Sequence, residues 1–209
     1  MALRLNGQTS GYVELEAPAT AGSNTLTLPN GNGSSGQYLQ TNGSGGLSWQ
    51  TVTDTTGWTW DTTQTTLSGN SSVTVSGIPS TATRLLVHFY NISNDTNDDW
   101  IFRLGNSGGI VTSGYHVSAG YMFSGSANRT TGFYTYATGT ASHKWTGFID
   151  CVNIGGSLWY CQMFFNAESD ANVHFAVGKV GVTTLDRINF STNSGTFDDG
   201  EIYVSYMEP

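Results

Sequence analysis

From Trp58 onward the chain is cut into short, regularly spaced segments, several of which alternate apolar and polar residues at period two, and this pattern restricts the fold more than any other feature. The segments fall at residues 72–76, 83–92, 100–104, 114–123, 132–137, 144–154, 158–166, 173–182, 186–191 and 201–207. Leu85, Val87 and Phe89 share one face, with Arg84, Leu86 and His88 on the other; Ile202, Val204 and Tyr206 alternate with Glu201, Tyr203 and Ser205. Clusters of Gly, Asn, Ser and Thr separate the segments, and none has the 3.6-residue period of an amphipathic helix. The prediction is an all-β domain over residues 58–209, a β-sandwich of jelly-roll-like type.

Such a domain needs a core, and the aromatic residues supply it. The chain of 209 residues carries 6 Trp, 10 Tyr and 10 Phe although only 11% of it is charged. Disorder goes with high charge and few aromatics, so this composition points to packed strands and tight turns.

Residues 1–57 have a different texture. They hold one basic residue, Arg4, and two short extended pieces at 12–15 and 25–28, the second ended by Pro29. The run from Asn30 to Trp49, NGNGSSGQYLQTNGSGGLSW, is dense in turn dipeptides around a small apolar island at Tyr38 and Leu39. It buries too little to fold alone. Leu26, Leu28, Tyr38, Leu39, Leu47 and Trp49 recur along it at intervals that a plain linker would not need. The expectation is an extended or strand-containing arm that orders against neighbouring subunits.

Charge narrows the partners. Seven Lys plus Arg stand against 15 Asp plus Glu, a formal net charge of −8. That balance leaves no basic surface for displacing counterions, so nucleic acid is not an expected partner. No run approaches the roughly 20 apolar residues of a membrane helix, and membrane insertion is not expected. The N-terminal sequence lacks the apolar core and cleavage site of a signal peptide, so the expected place of synthesis is the cytoplasm.

The segment KWTGFIDCVNI-GGS-LWYCQMFF reads as a hairpin with a three-residue loop. Counting outward from that loop puts Cys151 opposite Cys161, on the face that carries Trp145, Ile149, Trp159, Met163 and Phe165. Without an export signal the expectation is two small thiols filling core, with a cross-strand disulfide as the alternative.

Catalytic motifs are missing. His88, His116, His143 and His174 have no metal-ligand spacing, and His88 and His174 sit at polar-phase strand positions expected on the surface. There is no nucleophile elbow, phosphate loop or H-E-x-x-H, so no catalytic residue, metal or cofactor is predicted. The acidic runs at Asp95, Asp98 and Asp99, and at Asp198, Asp199 and Glu201, read as solvated turns; calcium near Asp95–Asp99 and a glycosidase pair are the alternatives. Tyr115, Tyr121 and Tyr134, set among Gly and Ser, together with Trp100, are the candidates for stacking on a neutral glycan; the alternative is that these rings, like Tyr136, cover core or a subunit seam.

The arm GQTSGYVELEAP, followed by SNTLTLP and SSGQYLQTNGSGGLSW, resembles the N-terminal segment of tail-fibre and related virion proteins of marine and cyanobacterial bacteriophages. VSGIPSTATRLLVHFYNIS, RLGNSGGIVTSGY and NSGTFDDGEIYVSYME resemble their partner domain. The resemblance implies a homotrimeric virion structural protein, not an enzyme. It implies a short tail fibre or appendage, attached to other virion proteins through residues 1–57 and facing host-surface glycan with the rest. A capsid decoration (cement or head-fibre) protein is the alternative, and a glycan depolymerase stands behind both.

Overall fold

The computed structural model describes residues 3–52, 57–60, 64–121, 124–135, 143–167 and 173–209. The chain divides into two compact units, Met1–Asp54 and Thr55–Pro209. Among the described residues there is no helix, and the fold is all-β.

The first unit is two hairpins. Strands β1 (Leu3–Asn6) and β2 (Tyr12–Leu15) pair antiparallel, Leu5 opposite Val13. Arg4 spans the ladder to Glu14 at 2.9 Å, and its guanidinium lies 3.9 Å from the centre of the Tyr12 ring. Strands β3 (Gln37–Thr41) and β4 (Leu47–Thr51) form the second hairpin, Leu39 opposite Trp49. Their loop works because Gly43 and Gly45 adopt positive φ, where a side chain would be strained. The Asn42 side-chain oxygen accepts from the Ser44 and Gly46 amides at 2.9 and 3.0 Å, which closes the turn. The expected strand at residues 25–28 is reduced to one parallel bridge, Thr27 to Gly46.

The second unit holds two sheets. The larger contains β5 (Trp58–Trp60), β6 (Thr65–Thr66), β8 (Arg84–Asn94), β11 (His116–Tyr121), β12 (Ser124–Arg129), β14 (Trp145–Gly155), β15 (Leu158–Ala167), β16 (Val173–Gly181) and β18 (Phe197–Met207). Its order is β12-β11-β16-β15-β14-β8-β18-β5, with β6 also on β18. The smaller contains β7 (Ser72–Ser76), β9 (Trp100–Asn106), β10 (Gly109–Ile110), β13 (Phe133–Tyr134) and β17 (Arg187–Thr192), in the order β10-β9-β17-β7 with β13 on β9. Phe123 and residues 136 and 137, where two strands were expected to end, lie outside the described residues.

Alternation along the strands decides what the sheets enclose. Leu85, Val87 and Phe89 of β8 are buried, as are Ile202 and Val204 of β18. Aromatic rings join the inner faces. Phe89 lies 6.3 Å from Phe102 of β9 and 4.7 Å from Phe190 of β17. Trp100 of β9 lies 6.3 Å from Trp145 of β14 and 5.7 Å from Phe165 of β15. Each such side chain stabilises the fold by about 1.5–3 kcal/mol through burial alone.

The β14–β15 hairpin keeps the expected register but turns differently. Cys151 faces Cys161, and Trp145, Ile149, Trp159, Met163 and Phe165 share the buried face. Leu158, however, pairs with Gly155, and the extra residue Ile154 bulges out, 57% exposed. The expected free thiols are instead a disulfide. The physical reason is the register itself, which sets the two Cα atoms 4.0 Å apart with both side chains on the inner face.

His174 also departs from expectation. His88 is exposed, but His174 is buried, its ring centre 4.4 Å from that of Trp145. Strand β16 turns its small residues inward: Ala176 opposes Met163 and Gly178 opposes Cys161. Bulky Phe175 and Val177 therefore face outward, and the phase of the strand is the reverse of the hydrophobic one.

Candidate functional site

Two of the four rings proposed from sequence, Trp100 and Tyr115, are buried. Trp100 is fully buried at 0% exposure, its ring centre 6.1 Å from that of Phe197 in addition to its contacts with Trp145 and Phe165. It sits at the start of β9, which pairs centrally in the smaller sheet, so its side chain belongs to the core. Tyr115 is 1% exposed. Its hydroxyl accepts from the Leu104 amide and donates to the Val111 carbonyl, both at 3.0 Å, and its ring meets Phe133 edge-on at 5.7 Å. Burial pushes its phenol up to about 12. Glycan stacking by Trp100 or Tyr115 is therefore corrected to a packing role: no face of either ring reaches solvent.

The other two differ. Tyr121 ends β11, and its side chain lies outside the described residues. Tyr134 is half-buried, its hydroxyl 2.7 Å from Thr131 Oγ1 and its ring under the Arg129 guanidinium at 4.8 Å. That cation occupies part of the ring surface a sugar would use.

The acidic runs are knit into loop contacts. Asp95 accepts from the Thr196 amide at 2.8 Å, and Asp98 from Ser194 Oγ at 2.6 Å and the Asn193 side chain at 3.2 Å. The Ser194 hydroxyl, helped by the Asp99 amide and Asn193, holds the Asp98 carboxyl below its usual value against the opposing effect of burial. Asp99 pairs with Arg129 at 3.3 Å and Asp199 with Lys144 at 2.6 Å. Among the described residues, no group of three or more His, Cys, Asp or Glu is placed to hold a metal ion.

The accessible rings lie elsewhere, on the outer face of the larger sheet. Phe175, Phe164, Phe148, His88 and Tyr203 are successive register partners across β16, β15, β14, β8 and β18, so they form one row. Tyr90, 52% exposed, and Tyr160, 36% exposed, flank the row. Tyr203 donates to Glu201 Oε2 at 2.6 Å, and that carboxylate holds the phenol above its usual value. Sequence reasoning missed this surface because it followed only the face of the β14–β15 hairpin that carries Trp145, Ile149, Trp159, Met163 and Phe165, and left the opposite face, with Phe148 and Phe164, unexamined. The available signal was that β14 to β16 are apolar in both phases, whereas an antiparallel sheet with a solvated face alternates.

Compared with known proteins, the chain matches no protein-family model and no curated sequence.

Proposed function

We propose that this chain is a structural subunit of a bacteriophage virion: a homotrimeric fibre or appendage whose residues 1–57 anchor it to other virion proteins. In this reading residues 58–209 form a β-sandwich, with β7, β8 and β9 crossing between sheets in jelly-roll-like fashion, and carry host contact.

The observation that carries the proposal is the state of the N-terminal unit. Leu3, Leu5, Tyr12, Val13, Leu15, Leu26 and Leu28 are all 58–71% exposed. A two-stranded hairpin without a covered face is marginal in water, so these strands need other chains to be stable. Three copies wound together would supply the missing face, and the Gly-rich loops would let the backbones approach. The sequence resemblance gives this assembly its virion setting. A structural role is preferred to a hydrolytic one because the carboxylates a hydrolase would need are spent on loop contacts at Asp95, Asp98, Asp99 and Asp199.

The test is immunogold labelling of intact phage particles with antibody to the chain. Label on the tail supports the fibre. Label on the head moves the protein to capsid decoration. Absence from the particles overturns the virion reading.

A further inference from the structure

We infer that the outer face of the larger sheet is a self-association surface, occupied by a second copy of this chain. The inference rests on the trimer reading and adds to the arm a second contact, made by the globular unit.

Three observations carry it. The first is chemistry. The row Phe175, Phe164, Phe148, His88 and Tyr203 puts three phenylalanines on a face that in a free antiparallel sheet would be polar. Phe148 and Phe164 already meet across the ladder, their ring centres 5.6 Å apart and their planes tilted by 37°.

The second is area. Strands β8, β14 and β18 have 11 residues each, β15 has 10 and β16 has 9. Five strands about 4.8 Å apart and about ten residues long present a face of about 24 by 33 Å, roughly 800 Å². That is about what each partner contributes to a standard stable interface.

The third is charge. The chain carries −8, so identical copies repel over most of their surface. The outer face is balanced: Arg84 and Lys179 offset Asp150 and Glu201. Arg84 and Asp150 are already joined by two hydrogen bonds of 2.8 and 2.6 Å, so covering them strands no charge. A sugar ligand would need only one or two accessible rings, whereas a row spanning five strands with a neutral border fits a flat protein partner.

The experiment compares the parent with Phe148→Glu and with Phe148→Glu/Phe164→Glu, all as full-length chain. Subunit mass is read by analytical ultracentrifugation over a dilution series, and near-ultraviolet circular dichroism of the buried tryptophans reports folding. The expected result is a trimeric parent and variants with native tryptophan spectra whose dissociation constant rises roughly 30-fold to 1,000-fold, the effect of removing an interface hot spot. Hydroxyl-radical footprinting of the unmodified parent provides a second measurement that needs no variant: Phe148, Phe164 and Tyr160 should be protected in the trimer and labelled on dilution. A trimeric parent with unchanged association in folded variants and full labelling of these rings overturns this inference and leaves the arm-based assembly standing. A monomeric parent overturns both. Variants that stay trimeric but lose binding to host polysaccharide reassign the face to a glycan and also overturn it.

Discussion

Replacing Tyr115 by phenylalanine removes a single oxygen atom from the core and separates a packing role from a ligand-stacking role. A phenylalanine would stack on a sugar as well as a tyrosine does, so a binding ring would lose little. The structure instead places the hydroxyl between the Leu104 amide and the Val111 carbonyl at 1% exposure. Stranding one buried polar group costs about 1–3 kcal/mol, so about 2 kcal/mol is expected here. For a domain of this size that lowers Tm by roughly 4–8 °C. The pH dependence gives an independent check. An ordinary tyrosine loses its proton at 10.0, and Tyr115 holds its proton to about 12. The folded state therefore binds more protons than the unfolded one in that window. The stabilisation is fully present below pH 10 and is lost as pH rises toward 12, a drop of about 1 kcal/mol by pH 11 and about 3 kcal/mol beyond pH 12. The variant has no such group. Urea unfolding followed by tryptophan fluorescence should show a gap of about 2 kcal/mol at pH 7 that narrows to about 1 kcal/mol at pH 11. A variant as stable as the parent at pH 7, with no change in the gap at alkaline pH, would refute the buried-clamp account.

The disulfide should be detectable as the absence of alkylatable thiol in denatured, unreduced protein; a Cys151→Ala/Cys161→Ala variant should lose about 2–3 kcal/mol, from a closed loop spanning a sequence separation of 10. Two alkylated thiols in the purified chain would contradict it. Gly178→Ala should destabilise the chain by about 1–3 kcal/mol, because a Cβ there would meet the His116 carbonyl oxygen at 2.3 Å and the Val117 Cα at 2.6 Å; equal urea midpoints would count against that packing. Because the Asp98 carboxyl is held below its usual 3.8, its stabilisation is complete above that pH and is lost as pH falls below it. Asp98→Asn should accordingly flatten the acid limb of the stability profile, and an acid limb identical to that of the parent would rule the contribution out.

Much of the strand layout was legible because β7, β8 and β18 alternate cleanly and because the two cysteines fall on matching positions of one hairpin. What escaped was whatever depends on partners distant in sequence. Tyr115 looks exposed beside Gly114, yet its hydroxyl is satisfied by the backbone of Leu104 in β9. Trp100 follows three acidic positions, yet Asp95 and Asp98 turn away to bond residues 193–196 and leave the ring to the core. Strand β16 was read with His174 on its polar face, whereas its register sets Ala176 against Met163 and Gly178 against Cys161 on the buried side. In the arm, β3 and β4 were obscured by the Gly-rich stretch that is in fact their loop.

The central claim is that residues 1–57 expose apolar strands because other copies of the chain cover them. Light scattering on the purified full-length protein at micromolar concentration tests it most directly. The account predicts a particle of about three times the 22.3 kDa of one chain, falling toward a single subunit when Leu5 and Val13 are both replaced by Asp. A parent that stays at 22.3 kDa, or one that forms a dimer, would contradict it.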